Sequence, residues 1–524
     1  MKSIVFLLAA HQSYIREDNA SPLSCTVEDD KFFSAIAYSY VPFLNMLERL
    51  EADAVPCSFG VVLSPALCTL LEDKLVHARY CAWLDRRIEL GQAELERCKD
   101  DAARYSLAQR YLKDAQDARN DFSEKYKCRL IQKFGEYAQK GRLVLLATAA
   151  GNAFLPHFMS VPESVAAQIE AGIVSHKFFF GSVPDGFYLP YMGYAEGVDR
   201  IIKSYGISYT VLDSRAFLFS KDMPRNGIFE PVRSRSSLVL FANDNSAAEQ
   251  IAAFELAPEY LNRNRDIGYE FDLRQLHGFI ADGSPRISTG ICYYGHNEAA
   301  LYDTGLAAER VAEDAAAFVA SKTSLLSRAA QSAASKDVSL VCAVPLERLG
   351  ARWAEGLDWL EAVVRGIAAE NQLAISACEA VIDGERRFSL QKMEPYPSAA
   401  GHSGYGEDLL DSKNAWRMRY VIKAVRRMVD LAGRFDESGG LKCRMLNIGA
   451  KAVLLAQSGD WPQMLHDDVF PETARKCFGE CVNMFSTVFE SLGSNTVSTE
   501  WLTAIERKYP IFPWMNYKIF SRKH

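Results

Sequence analysis

The sequence predicts an α/β protein, either one large barrel with insertions or two or three domains, and three observations carry that expectation. At 524 residues the chain is too long for one simple core. Apolar runs recur at Met1–Ala10, Leu143–Ala147 and Val338–Val344, as in parallel strands, which lose polar alternation when both faces are covered. Helical spacing lies between them. Phe33, Ile36, Ala37, Tyr40, Phe43, Leu44, Leu47 and Leu50 mark an amphipathic helix from Phe32 to Leu50, with Pro42 expected to kink it.

Composition narrows the class. Hydrophobic residues at 49% and charged residues at 24% are those of an ordered globular protein. A net charge of −7, a pI near 5.8 and the lack of any long basic stripe exclude a nucleic-acid surface. The opening apolar run reads as the first strand and not as a secretion signal, because no small-x-small site follows and His11 to Asp18 turns polar. No apolar run reaches the ~20 residues of a membrane span, so no membrane partner and a cytoplasmic location are expected. The twelve cysteines form no CxxC pair. Cys477 and Cys481 share a helix face without a nearby His, so reduced, packed thiols and neither metal nor other cofactor are expected.

In chain order, the first strand ends at Ala9-Ala10 and releases His11. From Ser64 to about Lys140 the chain is charged and helix-rich, with Gly91 the only Gly or Pro between Glu72 and Phe134; this reads as a solvated helical insertion. The strand Leu143–Ala147 delivers the loop Thr148–Pro156, which contains Asn152. Phe180–Tyr194 reads as a Gly/Pro turn, a short aromatic strand and a second turn that crowds ring side chains together. Such crowding suits sugar C–H faces, although spacing alone favours a core. Gly206–Asp213 is a turn and a strand ending in an acid, and Asn226–Val232 is a further turn and strand. From about Gly401 the pattern is helical.

Phe180–Tyr194 resembles the nucleophile motif of glycoside hydrolase family 57, Gly-x-Trp-Leu-Pro-Glu-x-x-Tyr, most closely in its α-glucan branching enzymes. Gly186, Leu189, Pro190 and Tyr194 match, Tyr188 replaces the Trp, and Tyr191 stands where the family carries its catalytic Glu. His11, Tyr14 and Arg16 fit the family's first motif. In the second, the usual Thr-His pair is Gly151-Asn152, and His157 lies beyond a proline that turns the backbone away. Asp213 resembles the acid that closes the strand after the nucleophile. Arg265–Tyr269 and Thr289–Gly295 resemble two further segments, with Cys292 where a Lys is usual. Pro345–Gly356 is similar to Tyr-Asp-x-Glu-Leu-Phe-Gly-His-Trp-Trp-x-Glu-Gly. Glu347, Gly350, Trp353, Glu355 and Gly356 are kept, but Pro345 occupies the position of the acid/base Asp. In the C-terminal part Tyr405 replaces a Trp, while Asp460 and Trp461 are retained.

The resemblance implies a seven-stranded (β/α) barrel over residues 1–400 with a helical insertion at about 64–140, and an all-α C-terminal domain over 401–524. It implies a 1,4-α-glucan branching framework and an α-glucan or other saccharide as partner; oligomeric state stays open. Tyr191, at the nucleophile position, Asp213 and Glu347 are the catalytic candidates. His11, Asn152, Tyr188, Trp353, Tyr405, Asp460 and Trp461 are the saccharide-binding candidates. Retaining glycosyl transfer uses two carboxyl groups roughly 5 Å apart, and an unassisted tyrosine with a pKa near ~10 carries no charge at neutral pH. The expectation is a degenerate site that keeps at most saccharide binding. Its alternatives are an active glucanotransferase or glycosidase with Tyr191 assisted by Asp213 or Glu347, and a structural scaffold.

Overall fold

Seven parallel strands curl into a barrel whose interior and exterior are packed by alternate residues of the same strands. In this computed structural model, residues 2–16, 25–276, 278–280, 285–298, 300–332, 337–382, 389–436 and 439–522 are described. The strands are β1 (Lys2–Ala10), β2 (Phe59–Leu63), β3 (Leu143–Thr148), β4 (Gly186–Tyr188), β5 (Tyr209–Leu212), β6 (Val232–Arg233), β7 (Val239–Ala242), β8 (Val338–Pro345) and β9 (Ala374–Ile375). The parallel order is β7-β5-β4-β3-β2-β1-β8. The ring closes where Asn243, just past β7, bridges Val341 of β8. There the Asp244 N–H donates to the Val341 carbonyl at 2.7 Å, and Asn243 Oδ1 accepts the Ala343 N–H at 2.9 Å. Two short strands fill gaps in the splayed wall: β6 lies antiparallel on β7, and β9 runs beside the start of β1.

Lys2–Ala10 is the first barrel strand, in line with the apolar run Ile4–Ala10. Val5 and Leu7 face inward with Val62, Leu146, Val211, Phe241 and Val341, and Cys378, Val381, Ile382 and Leu390 join this interior cluster. Ile4, Phe6 and Leu8 face outward. Phe6 stacks on Phe318 at 6.1 Å and meets the edge of Trp359 at 6.4 Å, against the helices Thr304–Ser332 and Gly356–Glu370. Truncating such a fully buried ring costs about 3–5 kcal/mol. The buried pair Lys322–Asp244, at 2.8 Å, ties the Thr304–Ser332 helix to the closing seam.

The helix anticipated at Phe32–Leu50 begins earlier, at Val27, under a Thr26 capping box. The backbone stays helical through Pro42, which sits near the start of a new segment. One π-helical turn, Ile36–Tyr40, precedes the helix Val41–Ala52, a local widening that accommodates a proline lacking its N–H. A Cβ on Gly350 would lie 1.8 Å from the Tyr38 carbonyl oxygen, so only glycine lets the two segments meet there.

The charged stretch after Ser64 forms the helices Pro65–Leu71, Lys74–Arg97, Ala102–Asn120 and Leu130–Gln139. It is less solvated than its composition suggests. Arg79, Arg87 and Glu94 are buried, Arg87 pairing with Asp30 at 3.0 Å. Leu130–Gln139 packs as a barrel helix, with Phe134 stacked on Phe43 at 6.2 Å. Toward the C-terminus come Met418–Arg434, Gly440–Ala456, Asp460–His466, Pro471–Ser494 and Thr499–Lys508, with Gly440–Ala456 buried among its neighbours. Cys477 and Cys481 lie on Pro471–Ser494, and every cysteine is a free thiol.

Candidate functional site

The C-terminal ends of the parallel strands open on a polar belt that crosses the barrel mouth. It starts at His11, just past β1. Its Nδ1 lies 2.8 Å from Ser64 Oγ, at the end of β2, and its Nε2 lies 2.9 Å from Asp460 Oδ1 and 3.0 Å from Oδ2. Asp460 Oδ1 also accepts from Asn152 Nδ2 at 2.7 Å, and the same amide reaches the Tyr191 hydroxyl at 3.5 Å. Asn152 and Tyr191 both hold left-handed backbone, with φ of 51° and 57°, strain of the kind kept only where neighbours over-determine it. The Tyr191 ring lies against Gly459, where a Cβ would come within 2.4 Å of it.

Asp460 reaches this belt because residues 454–460 are clamped onto the loop after β3. Gln168 Oε1 accepts from the Gly151 N–H at 2.8 Å, and its Nε2 donates to the Leu454 carbonyl at 3.0 Å and to Gln457 Oε1 at 3.2 Å. Gln457 Nε2 donates to Ser164 Oγ at 2.6 Å, and the Gly459 N–H donates to the Asn152 carbonyl at 3.1 Å. Both glutamines are buried, so these bonds form where no water competes.

Electrostatics follow from this wiring. Burial alone would lower the His11 imidazole, but the charge and hydrogen bond of Asp460, with the charge of Glu347, leave it raised. Burial likewise works to raise Asp460, yet His11, Asn152 and Ser458 hold it below the usual carboxylate range. The two form an ion pair, with side chains 28% and 8% exposed. Glu347 is raised, chiefly by burial, although its Oε1 accepts from the His11 N–H at 2.9 Å and from the Tyr40 hydroxyl at 2.6 Å. Tyr191 is raised well above the ordinary phenol, first by burial and then by the charge of Asp460. Burial also lifts Tyr188 to about 12 and lowers His157 to about 4.

The structure thus brings His11, Asn152, Tyr191, Glu347 and Asp460 together, with Tyr188 at the inward end of β4 beside them. Asp213 stands further round the rim at the end of β5, its oxygens taking the Arg215 N–H at 2.9 Å and Asn245 Nδ2 at 3.0 Å. The acid whose charge weighs most on Tyr191 is Asp460. Trp353 is fully buried between Tyr260 and Trp359, at 5.4 and 5.5 Å. Trp461 is fully buried too, donating to the Leu455 carbonyl at 2.8 Å. Tyr405 is 58% exposed on the loop ahead of the C-terminal helices.

Three participants were not singled out from sequence. Ser64 carried a signal, since Ser-Pro after a strand marks a helix N-cap, and Ser64 does cap Pro65–Leu71. Tyr40 was legible only as a helix position. Arg417 carried no signal at all. Buried against Phe478 at 5.5 Å, its guanidinium makes no hydrogen bond among the described residues. Burial lowers it to about 10, and its charge is felt at Tyr191 and His157.

A parallel barrel whose strand ends carry a belt of imidazole, amide, phenol and carboxylate under a helical roof is the framework of a barrel-type glycoside hydrolase. The chain belongs to glycoside hydrolase family 57: the sequence profile of glycosyl hydrolase family 57 matches residues 5–310. The profile of the 1,4-alpha-glucan branching enzyme C-terminal region matches residues 420–520. The chain is 23% identical over 509 residues to a 1,4-alpha-glucan branching enzyme of Thermococcus kodakarensis, covering 90% of this chain and 71% of that one. Among solved structures it is similar to the alpha-amylase AmyC of Thermotoga maritima, with a TM-score of 0.91 and 26% identity, covering 100% of this chain and 99% of the other. It also shares the fold of the family 57 branching enzyme of Pyrococcus horikoshii, at a TM-score of 0.88 and 20% identity, covering 100% and 97%.

Proposed function

We propose that this chain is an α-glucan-related protein of the branching-enzyme type that has lost the bond-exchanging chemistry and retains saccharide binding at the barrel mouth. The observation that carries the reading is the state of Tyr191. A retaining nucleophile must be anionic, whereas desolvation of this half-buried phenol, and then the negative Asp460 beside it, both keep its proton on. Pro345 ends β8 with no ionisable group at the position of the family's acid/base. Asp460, the charged carboxylate beside Tyr191, is already committed to His11 and Asn152.

A ligand would find His11, Asn152, Tyr188 and Tyr191 part-exposed at the rim, which offers hydroxyl partners and ring faces without a group able to attack the anomeric carbon. One observation favours the rival reading of a working transferase. Glu347 has a burial-raised carboxyl, as a general acid would need. Incubation of the purified chain with amylose separates the two. No new α-1,6 branches in debranching profiles, together with saturable malto-oligosaccharide binding, are expected. Branch formation at high protein concentration would overturn the loss of chemistry. Absence of any saccharide affinity, together with co-purification in a larger assembly, would leave only a scaffold.

A further inference from the structure

We propose that Phe219 and Tyr396 form a sugar-stacking ledge beside the barrel mouth, which takes the outer rings of a glucan chain too long for the mouth alone. The proposal rests on the saccharide binding proposed for the mouth and narrows the ligand to an extended chain of several rings. Phe219 is 59% exposed and Tyr396 40%, and their ring centroids lie 6.1 Å apart with planes at 80°. Tyr405 brings its hydroxyl beside that of Tyr396, and Leu218 and Met223 are exposed on the Phe219 segment. Apolar side chains exposed singly are ordinary; a contiguous group on two loops marks a surface that meets a ligand or partner.

The rings stand on a braced frame. The Tyr396 N–H donates to the Ala216 carbonyl at 2.9 Å. Arg215 Nη1 donates to the Ala399 and Gly401 carbonyls at 3.3 and 2.9 Å, and Nη2 to that of His402 at 3.2 Å. Its Nε lies 3.9 Å from Asp213 Oδ1, which offsets its charge. With the guanidinium engaged in this way, the rings are what a ligand meets. Rings placed before binding lose little freedom when a ligand stacks on them.

Ledge and mouth form one surface. The Ala400 N–H donates to the Tyr191 carbonyl at 2.7 Å, the Tyr194 N–H to the Ser398 carbonyl at 2.8 Å, and the Ser398 N–H to the Tyr194 carbonyl at 3.2 Å. Ala399 packs with Phe154 and Leu409, and the Tyr191 ring joins them. Tyr396 precedes Ala400 by four positions, a span of at most about 14 Å for an extended chain. A linear glucan seated at Tyr191 therefore reaches the ledge within a few rings. Aromatic faces suit its C–H faces, and tyrosine hydroxyls, which donate and accept, suit its hydroxyls.

Calorimetry of the full chain with maltotriose and maltoheptaose tests this. Wild type should bind the heptaose about fiftyfold more tightly than the triose, about fivefold from the number of registers alone and about tenfold from the ledge. Phe219→Ala/Tyr396→Ala, at two exposed positions, should bind the triose as wild type does and keep only the fivefold part. Phe219→Trp, which keeps a ring there, should keep the whole preference. A wild-type preference of only about fivefold overturns the ledge, as does the full preference surviving in a double variant that melts like wild type. Triose binding judges the mouth separately, and Asn152→Gly should weaken it. Triose affinity unmoved by Asn152→Gly, with the heptaose preference lost in the double variant, overturns binding at the mouth and leaves the ledge standing. No heat with either sugar overturns both.

Discussion

The barrel mouth and the side cavity are built from neighbouring stretches of the same chain, yet they handle polar groups in opposite ways. At the mouth the groups satisfy one another: Ser64, His11, Asp460 and Asn152 form a continuous chain of short contacts. Around the side cavity of about 270 Å³ between the Lys74–Arg97 and Ala102–Asn120 helices, enclosed atoms of Arg87, Arg263 and Glu355 have no hydrogen-bond partner among the described residues. The difference separates a surface that holds its own shape from a packed layer that carries unsatisfied polar atoms. A self-satisfied belt is stable and selective only through what it leaves exposed; each enclosed orphan costs about 1–3 kcal/mol.

Removing the hub of the mouth should have the largest effect. Asp460→Ala strips the partner from His11 and Asn152 and is expected to cost about 3 kcal/mol, the low end for a broken buried pair, read as a drop in the urea midpoint at unchanged slope. A loss under about 1 kcal/mol would erase the contrast with the cavity. Arg417 is the exception at the mouth, a buried cation whose Nε has no hydrogen-bond partner among the described residues. Arg417→Met is therefore expected to stabilise by about 1–2 kcal/mol, raising the thermal midpoint by a few degrees; a lowered midpoint would mean that the guanidinium has a role in holding the mouth.

The His11–Asp460 pair gives a smaller, pH-dependent signature. The raised imidazole contributes stability that is complete below its unfolded pKa, near ~6.5, and is lost as pH rises through the elevated folded value. The depressed carboxylate contributes stability that is complete above its unfolded pKa, near ~3.9, and is lost as pH falls. The pair's contribution should peak between those limits, and His11→Asn should flatten the alkaline arm of stability against pH, an effect on the order of 1 kcal/mol. An alkaline arm that survives the substitution would assign it to other groups. Smallest of all, Glu355→Gln should change unliganded stability by under about 0.5 kcal/mol, since the bonds from Leu261 and Tyr302 fall on the oxygen that Gln keeps. A midpoint shift as large as that of Asp460→Ala would place Glu355 in the structural network.

Much of the frame was legible in the sequence because parallel barrel strands have a distinct chemistry. Ile4–Ala10 and Leu340–Val344 are unbroken apolar runs, and both lie in barrel strands. The loops after β1, β3, β4 and β8 were legible through the resemblance to the family's motifs, which named His11, Asn152, Tyr191 and Glu347, and the strand ends bring these loops to one mouth. Direction was not legible. Trp353 and Trp461 look no different from Tyr188 in a string of letters, yet both tryptophans are enclosed in packed core while Tyr188 is only partly buried, against the cluster inside the barrel. The charged helices after Ser64 were readable as helices, but their burial was not, since Arg87 and Glu94 find partners from segments far along the chain. The cavity draws Tyr38, Arg87, Arg263 and Glu355 from separate stretches, and no local pattern announces such a meeting.

The two buried glutamines that pin residues 454–460 to the loop after β3 also bear on how this family can diversify. Gln168 and Gln457 lie 289 positions apart in sequence, yet they read each other directly. A helical roof taken from a relative would have to bring its own matching amide, or the seam would bury unanswered donors from both sides. Barrel and roof must therefore change in concert, and chimaeras that exchange one without the other should fail first at this seam.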